Sequence, residues 1–564
     1  MSRTTLDKEH DSGTAAASPL TNSLKQRHLS MIALGGVIGA GLFVGSGAAI
    51  AAAGPSIIIA YAISGALVML VMRMLGEMAA ANPASGSFSV HAEKAIGPWA
   101  GFTAGWSFWF LLCVAVGLEG IGAAKIAHGW VPSVPEWAFV ALFMLLFCIT
   151  NLISVRNFGE FEFWFAALKI GAIVLFLGIG IAAIAGVLPD HEPPGLSNLT
   201  GEGGFFPNGS EGLIVGLLAS VFAYGGLETV TIAAAESEHP VKGVAKAVRT
   251  AMWRIAIFYV GSMAVIATLV PWNNPALPNP DKGSYVVTLE ALGLPAAGQI
   301  MNVVVFIALL SAMNANIYGA SRMAGSLVAR NQGPKLLGKI SGGVPRVAVM
   351  VSSVFGFVCV LLSYWYPETL FAWLLNIIGA IILVVWFFIA AAQLRMRRIL
   401  QREAPEKLVV KMWAYPYLTW VALAGMAAVF VLMAREEGTR IQLYYTGGLT
   451  LVLAVIGYFL QQSNAVKAAH GRVDAIAAEL EDLKAGRLPA APAGGDAAVA
   501  AEPEAEEAEE PEEAVAEADA DAEPADDAAK AEDKVEDKAD EAEDKTEAED
   551  EAEDKDDAKA DAKS

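Results

Sequence analysis

The sequence predicts an all-α polytopic membrane protein with twelve transmembrane helices, the first and sixth of them broken. Three observations carry this. Of the 564 residues, 55% are hydrophobic and the mean hydropathy is +0.48, with several apolar runs too long for core helices of a soluble protein. Two of those runs are interrupted by glycines near their centres. Lys and Arg recur on alternate loops, which orients the spans.

The first apolar run, Ile32 to Ala53, is long enough to cross a bilayer, since about 20 apolar residues span ~30 Å of hydrocarbon. It carries Gly35, Gly36, Gly39, Gly41, Gly45 and Gly47, each costing a helix interior roughly 1 kcal/mol relative to alanine. Either the backbone unwinds around Ile38-Gly39-Ala40-Gly41, or the glycines form a face for close helix packing. Further spans are expected near 56–79, 98–122, 135–154 and 160–186. The sixth, 212–236, reads GLIVGLLASVFAYGGLETVTIAAAE and repeats the oddity, with Gly225-Gly226 at mid-span. The remaining spans are expected near 250–271, 298–328, 346–364, 368–393, 415–434 and 441–461.

Interrupted spans five apart imply a five-plus-five inverted repeat, because five is odd and the second copy must enter the membrane upside down. Matching interruptions in two such halves mark a transporter's midplane binding site. A broken helix offers free N–H groups at one new end and free carbonyls at the other. A zwitterion needs both. The N–H groups of Ala40 and Gly41 suit its carboxylate; the carbonyls of Val37, Ile38, Phe222, Ala223 and Gly225 suit its ammonium. The pattern therefore points to an amino acid held mostly by backbone.

Charge placement puts both termini in the cytoplasm. Arg3, Lys8, Lys25 and Arg27 precede the first span. Lys94, Arg156, the Lys242–Arg249 and Arg330–Arg346 groups, and the group from Arg395 to Lys411 follow on the same side; the other side has only Lys125, Lys282, Arg435 and Arg440. A short surface helix is expected within 81–97, and a Gly-, Pro- and Asn-rich external loop over 187–211. The formal net charge of -21 belongs to a tail: residues 501–564 hold 31 acids against 7 Lys, leaving 28 acids and 31 bases elsewhere. The chain divides into a polar N-terminus (1–25), a membrane domain (26–464) and an acidic low-complexity segment (465–564) too poor in apolar residues to offset ordering entropy. No cleavable signal is read at the N-terminus. Cys113, Cys148 and Cys359 fall in apolar runs and read as buried hydrophobes, with no metal-ligand or disulfide spacing. Neither a metal cluster, a nucleophile–base set nor a phosphate loop supports an enzyme.

Charges inside spans are costly and mark function by default. Lys169, in the fifth span, reads as a proton carrier or as a fixed cation replacing a coupling sodium; the structural alternative is a permanent ion pair. Glu119, in the third, reads as a hydrogen-bonding partner within the site that tunes Lys169 or the bound amine, or as a packing contact. Glu77, Glu160, Glu162 and Glu236 lie near span ends and are expected to pair with Arg73, Arg156 or Arg322; Glu228 is expected to be structural. Ser311 and Asn314, in the eighth span, offer polar atoms toward Lys169 or bond between helices. Trp106, Phe108 and Trp109 read as packing, and Tyr224 as a candidate lid over the substrate.

These residues resemble the amino acid–polyamine–organocation superfamily, and within it the bacterial amino-acid permeases. The likeness covers about 25–460: GGVIGAGLFVGSG in the first span, FGEFEFWFAALK entering the fifth, FAYGGLETVTIAAAESEHP through the sixth and NANIYGASRM in the eighth. GEFEFW, WRIAIFY, LVPWN and KMWAYPYLTW look like the 4-aminobutyrate (GABA) branch. The resemblance implies ten helices in an inverted repeat plus two more, in the bacterial inner membrane. It implies proton-driven uptake of GABA or a related small amino acid by alternating access, with no cofactor beyond the proton gradient and no nucleic-acid partner. It places the substrate backbone at Val37, Ile38, Gly39, Ala40, Gly41, Phe222, Ala223, Tyr224 and Gly225, and sets Lys169 where sodium-coupled relatives hold an ion. Gly41 departs from the serine expected in the GABA branch, and the acidic tail is no family feature. An amino-acid exchanger, a carrier of another neutral amino acid and a nutrient sensor are the alternatives.

Overall fold

A computed structural model describes residues 38–462, apart from 85, 154–155, 190–191, 202, 230–239, 280 and 342–343. Val37, Glu236, the N-terminus 1–25 and the tail 465–564 lie outside the described residues. Among those described the chain is helical, its only ladder contact being an isolated bridge between Ser341 and Val344.

Helices α1 (Ala40–Phe43) and α2 (Gly45–Ala53) are separated by a turn at Val44. A 3₁₀ turn, Gly54–Ser56, leads into α3 (Ile57–Ala81). Gly54 has φ +65°, and a Cβ there would strike Pro207, so only glycine fits this junction. Next come α4 (Ser87–Ala95), α5 (Pro98–Trp130), α6 (Glu136–Ile153), α7 (Arg156–Ile184) and α8 (Gly209–Ala223). Beyond 230–239 lie α9 (Pro240–Arg254), a π-helical stretch Ile255–Gly261 and α10 (Ser262–Leu269). The chain closes with α11 (Gly283–Ala291), α12 (Pro295–Ala329), α13 (Arg346–Trp365), α14 (Leu370–Glu403), α15 (Tyr417–Arg435) and α16 (Glu437–Gln461).

Ten apolar helical stretches among the described residues are long enough to cross a membrane. One of them, Ala40–Ala81, is 42 residues, about 63 Å at 1.5 Å per residue and twice the hydrocarbon thickness. It joins the first and second predicted spans across the Gly54 junction. The sixth predicted span contributes only the shorter α8, which is why ten stretches stand where twelve spans were expected.

α5 and α14 run through the middle of the bundle and bury most of their length, whereas α15 and α16 leave large apolar residues such as Trp420, Tyr444 and Phe459 exposed, as lipid-facing helices do. The three cysteines are buried and unpaired.

Two elements differ from expectation. The short helix within 81–97 is no surface helix: Phe88, Ser89 and His91 of α4 are buried, and Phe88 packs edge-on against Phe108 of α5 at 4.9 Å. The loop before the eighth span holds the unforeseen α11, whose Ser284 hydrogen-bonds Ser46 of α2 at 2.7 Å.

Candidate functional site

Neither Gly39 nor Gly225 lies in helix. Gly39 is the N-cap of α1, and α8 stops at Ala223 where the sequence pattern ran on to residue 236. Residues 224–228 form consecutive turns, with the Gly225 N–H on the Phe222 carbonyl at 2.9 Å and the Thr229 N–H on that of Gly226 at 3.1 Å. Gly226 has φ +92°, a conformation side chains oppose.

The start of α1, next to Gly39, and the end of α8, next to Gly225, touch. A Cβ on Gly41 would come within 2.8 Å of the Ala223 Cα and of the Phe222 ring. α14 closes one side: Ile378 and Ile382 approach Gly225, and Leu375 approaches Gly45. Ile38 and Ala40 are fully buried, Phe222 and Ala223 nearly so, and Gly41 is partly open.

Glu119 of α5 reaches the start of α1. Its Oε2 accepts the Ala40 N–H at 3.1 Å, and Oε1 lies 3.3 Å from the same donor. A carboxylate at a helix N-terminus meets unpaired N–H groups and the positive end of the helix dipole. The Ala40 N–H assigned from sequence to a substrate carboxylate thus carries the protein's own carboxylate. A methyl group on Gly39 would collide with it.

Lys169 is fully buried, its Nζ 3.8 Å from Glu162 Oε1. Glu162 Oε2 accepts from the Ser311 hydroxyl at 2.8 Å. Ser311 thus bonds between helices α12 and α7, to the carboxylate that Lys169 pairs with. The expectation that Glu162 pairs at a span end is overturned: it sits seven residues before Lys169, on the same face of α7, and is buried. Asn314 instead accepts from Asn151 of α6 at 2.7 Å, a bond between helices.

Tyr224 is no lid. Its hydroxyl donates to the Tyr61 carbonyl at 2.8 Å, and its ring stacks on Tyr259 at 4.7 Å and is fully buried. Its single polar atom bonds α3 backbone, which anchors the break rather than covering it. Glu228 is structural as expected, accepting from the Gly226 N–H at 3.1 Å and from the Trp386 indole. Glu77 does form a buried ion pair, with Arg397 rather than Arg73, and also takes Gln393 at 2.8 Å and the Met412 N–H. Arg73 instead donates to the Lys411 carbonyl at 2.8 Å. Trp106 and Trp109 pack together, their indoles donating to the Gln332 carbonyl and the Ser352 hydroxyl, each at 2.9 Å. The side chain of Glu160 lies outside the described residues.

Sequence reasoning missed Arg254, buried at the end of α9 with its guanidinium 5.7 Å from the Tyr259 ring centroid. An arginine inside a predicted span is the same signal that singled out Lys169. The described residues hold no cluster of three or more His, Cys, Asp or Glu fit for a metal.

A family model described as Amino acid permease matches residues 28–468. The chain is 44% identical over 439 residues to the gamma-aminobutyric acid permease of Bacillus subtilis (strain 168), spanning 78% of this chain and 93% of that protein. It is 45% identical over 427 residues to the aromatic amino acid transport protein AroP of Corynebacterium glutamicum, spanning 75% and 92%. A crystallised mutant manganese transporter of Eremococcus coleocola shares the fold, with a TM-score of 0.50 at 13% identity over 78% of this chain and 97% of that one.

Proposed function

The chain belongs to the amino acid permease family, and from that premise we propose that it is a secondary active transporter. It takes up GABA or a related small amino acid by alternating access, driven by protons. The observation that carries this reading is the contact of α1 with the end of α8, Gly41 against Ala223, beside the non-helical Gly39 and Gly225, with a carboxylate already seated on the Ala40 N–H.

A substrate carboxylate competes with Glu119 for the start of α1. Its amine takes carbonyls of the facing segment, which keep a spare lone pair even where they already accept a turn hydrogen bond. Release of Glu119 from Ala40 exposes it to Lys169, so binding and the charge state of the Lys169–Glu162–Ser311 group become linked. Glycines flank both segments and supply the hinge freedom that opening and closing require. Both termini lie in the cytoplasm in this reading.

The equal likeness to an aromatic amino acid carrier favours a second reading, in which the substrate is an aromatic amino acid. Purified protein in liposomes, given a panel of labelled amino acids under an imposed pH gradient, separates the two. Accumulation of GABA above its outside concentration, abolished by a protonophore, is expected. Uptake of phenylalanine alone installs the second reading. Uptake indifferent to the gradient, with brisk counterflow, makes the protein an exchanger.

A further inference from the structure

Four buried hydroxyls near the second break have no hydrogen-bond partner among the described residues: Tyr61 of α3, Tyr259 of the π-helical stretch, Ser262 at the start of α10 and Tyr285 of α11. All four residues are fully buried. They belong together. The Tyr285 and Ser262 hydroxyls are near neighbours, and the hydroxyls of Tyr61, Tyr259 and Tyr285 lie within electrostatic reach of one another.

The cluster connects two regions. On one side Tyr285 stands against Phe43 of α1 at 5.0 Å and Phe176 of α7 at 4.5 Å. Phe176 is seven residues beyond Lys169 on one buried stripe of α7, with Ile173 between them, about 10 Å along the helix axis. On the other side Tyr259 lies under the Arg254 guanidinium, itself within electrostatic reach of Lys169.

A hydroxyl buried without a partner loses its hydration and regains nothing. Four at one locus require an occupant that both donates and accepts. Internal water satisfies such groups, and neutral hydroxyls with no carboxylate among them do not build a metal site. Tyr259 belongs to a π-helical stretch, a feature frequent at functional sites. Ionisable residues inside spans, such as the neighbouring Lys169 and Glu162, mark proton relays.

We propose that Tyr285, Ser262, Tyr61 and Tyr259 line a chain of internal water that delivers the coupling proton to the Lys169–Glu162 pair. Each hydroxyl accepts one proton and gives up one, so the relay ends unchanged and needs no other reactant. The inference rests on the proton-coupled reading given above.

Full-length protein in liposomes tests it with two readouts: accumulation of labelled GABA under an imposed pH gradient, and GABA counterflow at equal pH. Tyr285→Phe and Ser262→Ala are expected to lower the initial rate of gradient-driven accumulation about a hundredfold while counterflow stays within about twofold, since a single positioned proton-transfer group is worth 10²–10⁴ in rate. Ser262→Thr, which keeps the hydroxyl, restores accumulation. Unchanged accumulation in both variants overturns the inference and leaves proton coupling standing. Equal loss of both readouts also overturns it, by making the hydroxyls structural. Wild-type protein that ignores the gradient overturns the proton-coupled reading, and the inference with it.

Discussion

Glu119 lays its carboxylate on the backbone N–H of Ala40, 3.1 Å from Oε2, and so occupies the start of α1. A residue 79 positions away supplies what an amino-acid carboxylate would supply. The consequence is competition. Glu119→Gln keeps an acceptor for Ala40 but removes the charge that favours a helix N-terminus by about 1 kcal/mol. Equilibrium binding of labelled GABA to purified Glu119→Gln is expected to tighten about fivefold. Weaker binding would mean that Glu119 assists the substrate instead of competing with it.

Lys169→Ala is expected to abolish proton-driven accumulation and also to strand Glu162 as a lone buried carboxylate. Removing one partner of a buried pair costs about 3–5 kcal/mol. The double variant Lys169→Ala with Glu162→Ala should regain thermal stability without regaining accumulation. Calorimetric or fluorescence melting in detergent, beside uptake in liposomes, reads both. Intact accumulation in Lys169→Ala would end its role in coupling.

Gly41→Ala brings a methyl group within 2.8 Å of the Ala223 Cα, and backbone cannot swing aside as a side chain can. α1 and the end of α8 must separate, at a cost of about 1–3 kcal/mol for an overpacked site. GABA uptake is expected to fall chiefly through a raised KM. A variant with wild-type KM and melting temperature would show that the segments have room to spare.

His91 sits fully buried in α4, with neither ring nitrogen hydrogen-bonded among the described residues. Burial first, then the charges of Lys94 and Arg330, push its pKa down to about 3. The unfolded chain binds the proton near pH 6.5. Between these values the unfolded state holds more protons, so stability is full above about pH 6.5 and falls by up to about 1.4 kcal/mol per unit below it. Melting temperatures taken from pH 7.5 to pH 5 should drop in wild type and drop less in His91→Leu. Parallel curves would remove His91 from the account.

Apolar run length, glycine position and charge asymmetry determined a great deal before any coordinates. Each is a local property: a stretch of about 20 apolar residues spans lipid whatever its neighbours, and a glycine weakens a helix wherever it sits. Hence the membrane class and most of the spans were legible, and so were the non-helical conformation of Gly39 and Gly225 and the presence of Lys169 and Glu119 inside spans, where both are buried.

Tertiary structure decided the pairings. Glu162 belongs to Lys169 because both fall on the buried stripe of α7, and Glu77 belongs to Arg397 because α14 packs against α3. Such partners are set by which helix faces meet, and buried charges must find one another across whatever distance in sequence separates them. Tyr224 is adjacent to the break in sequence, yet its ring is drawn into α3 and the π-helical stretch, where its hydroxyl finds a carbonyl. The seat of Glu119 on Ala40 was hidden for the same reason: a helix end advertises unpaired N–H groups in the sequence, and only the packed bundle says which acceptor reaches them first.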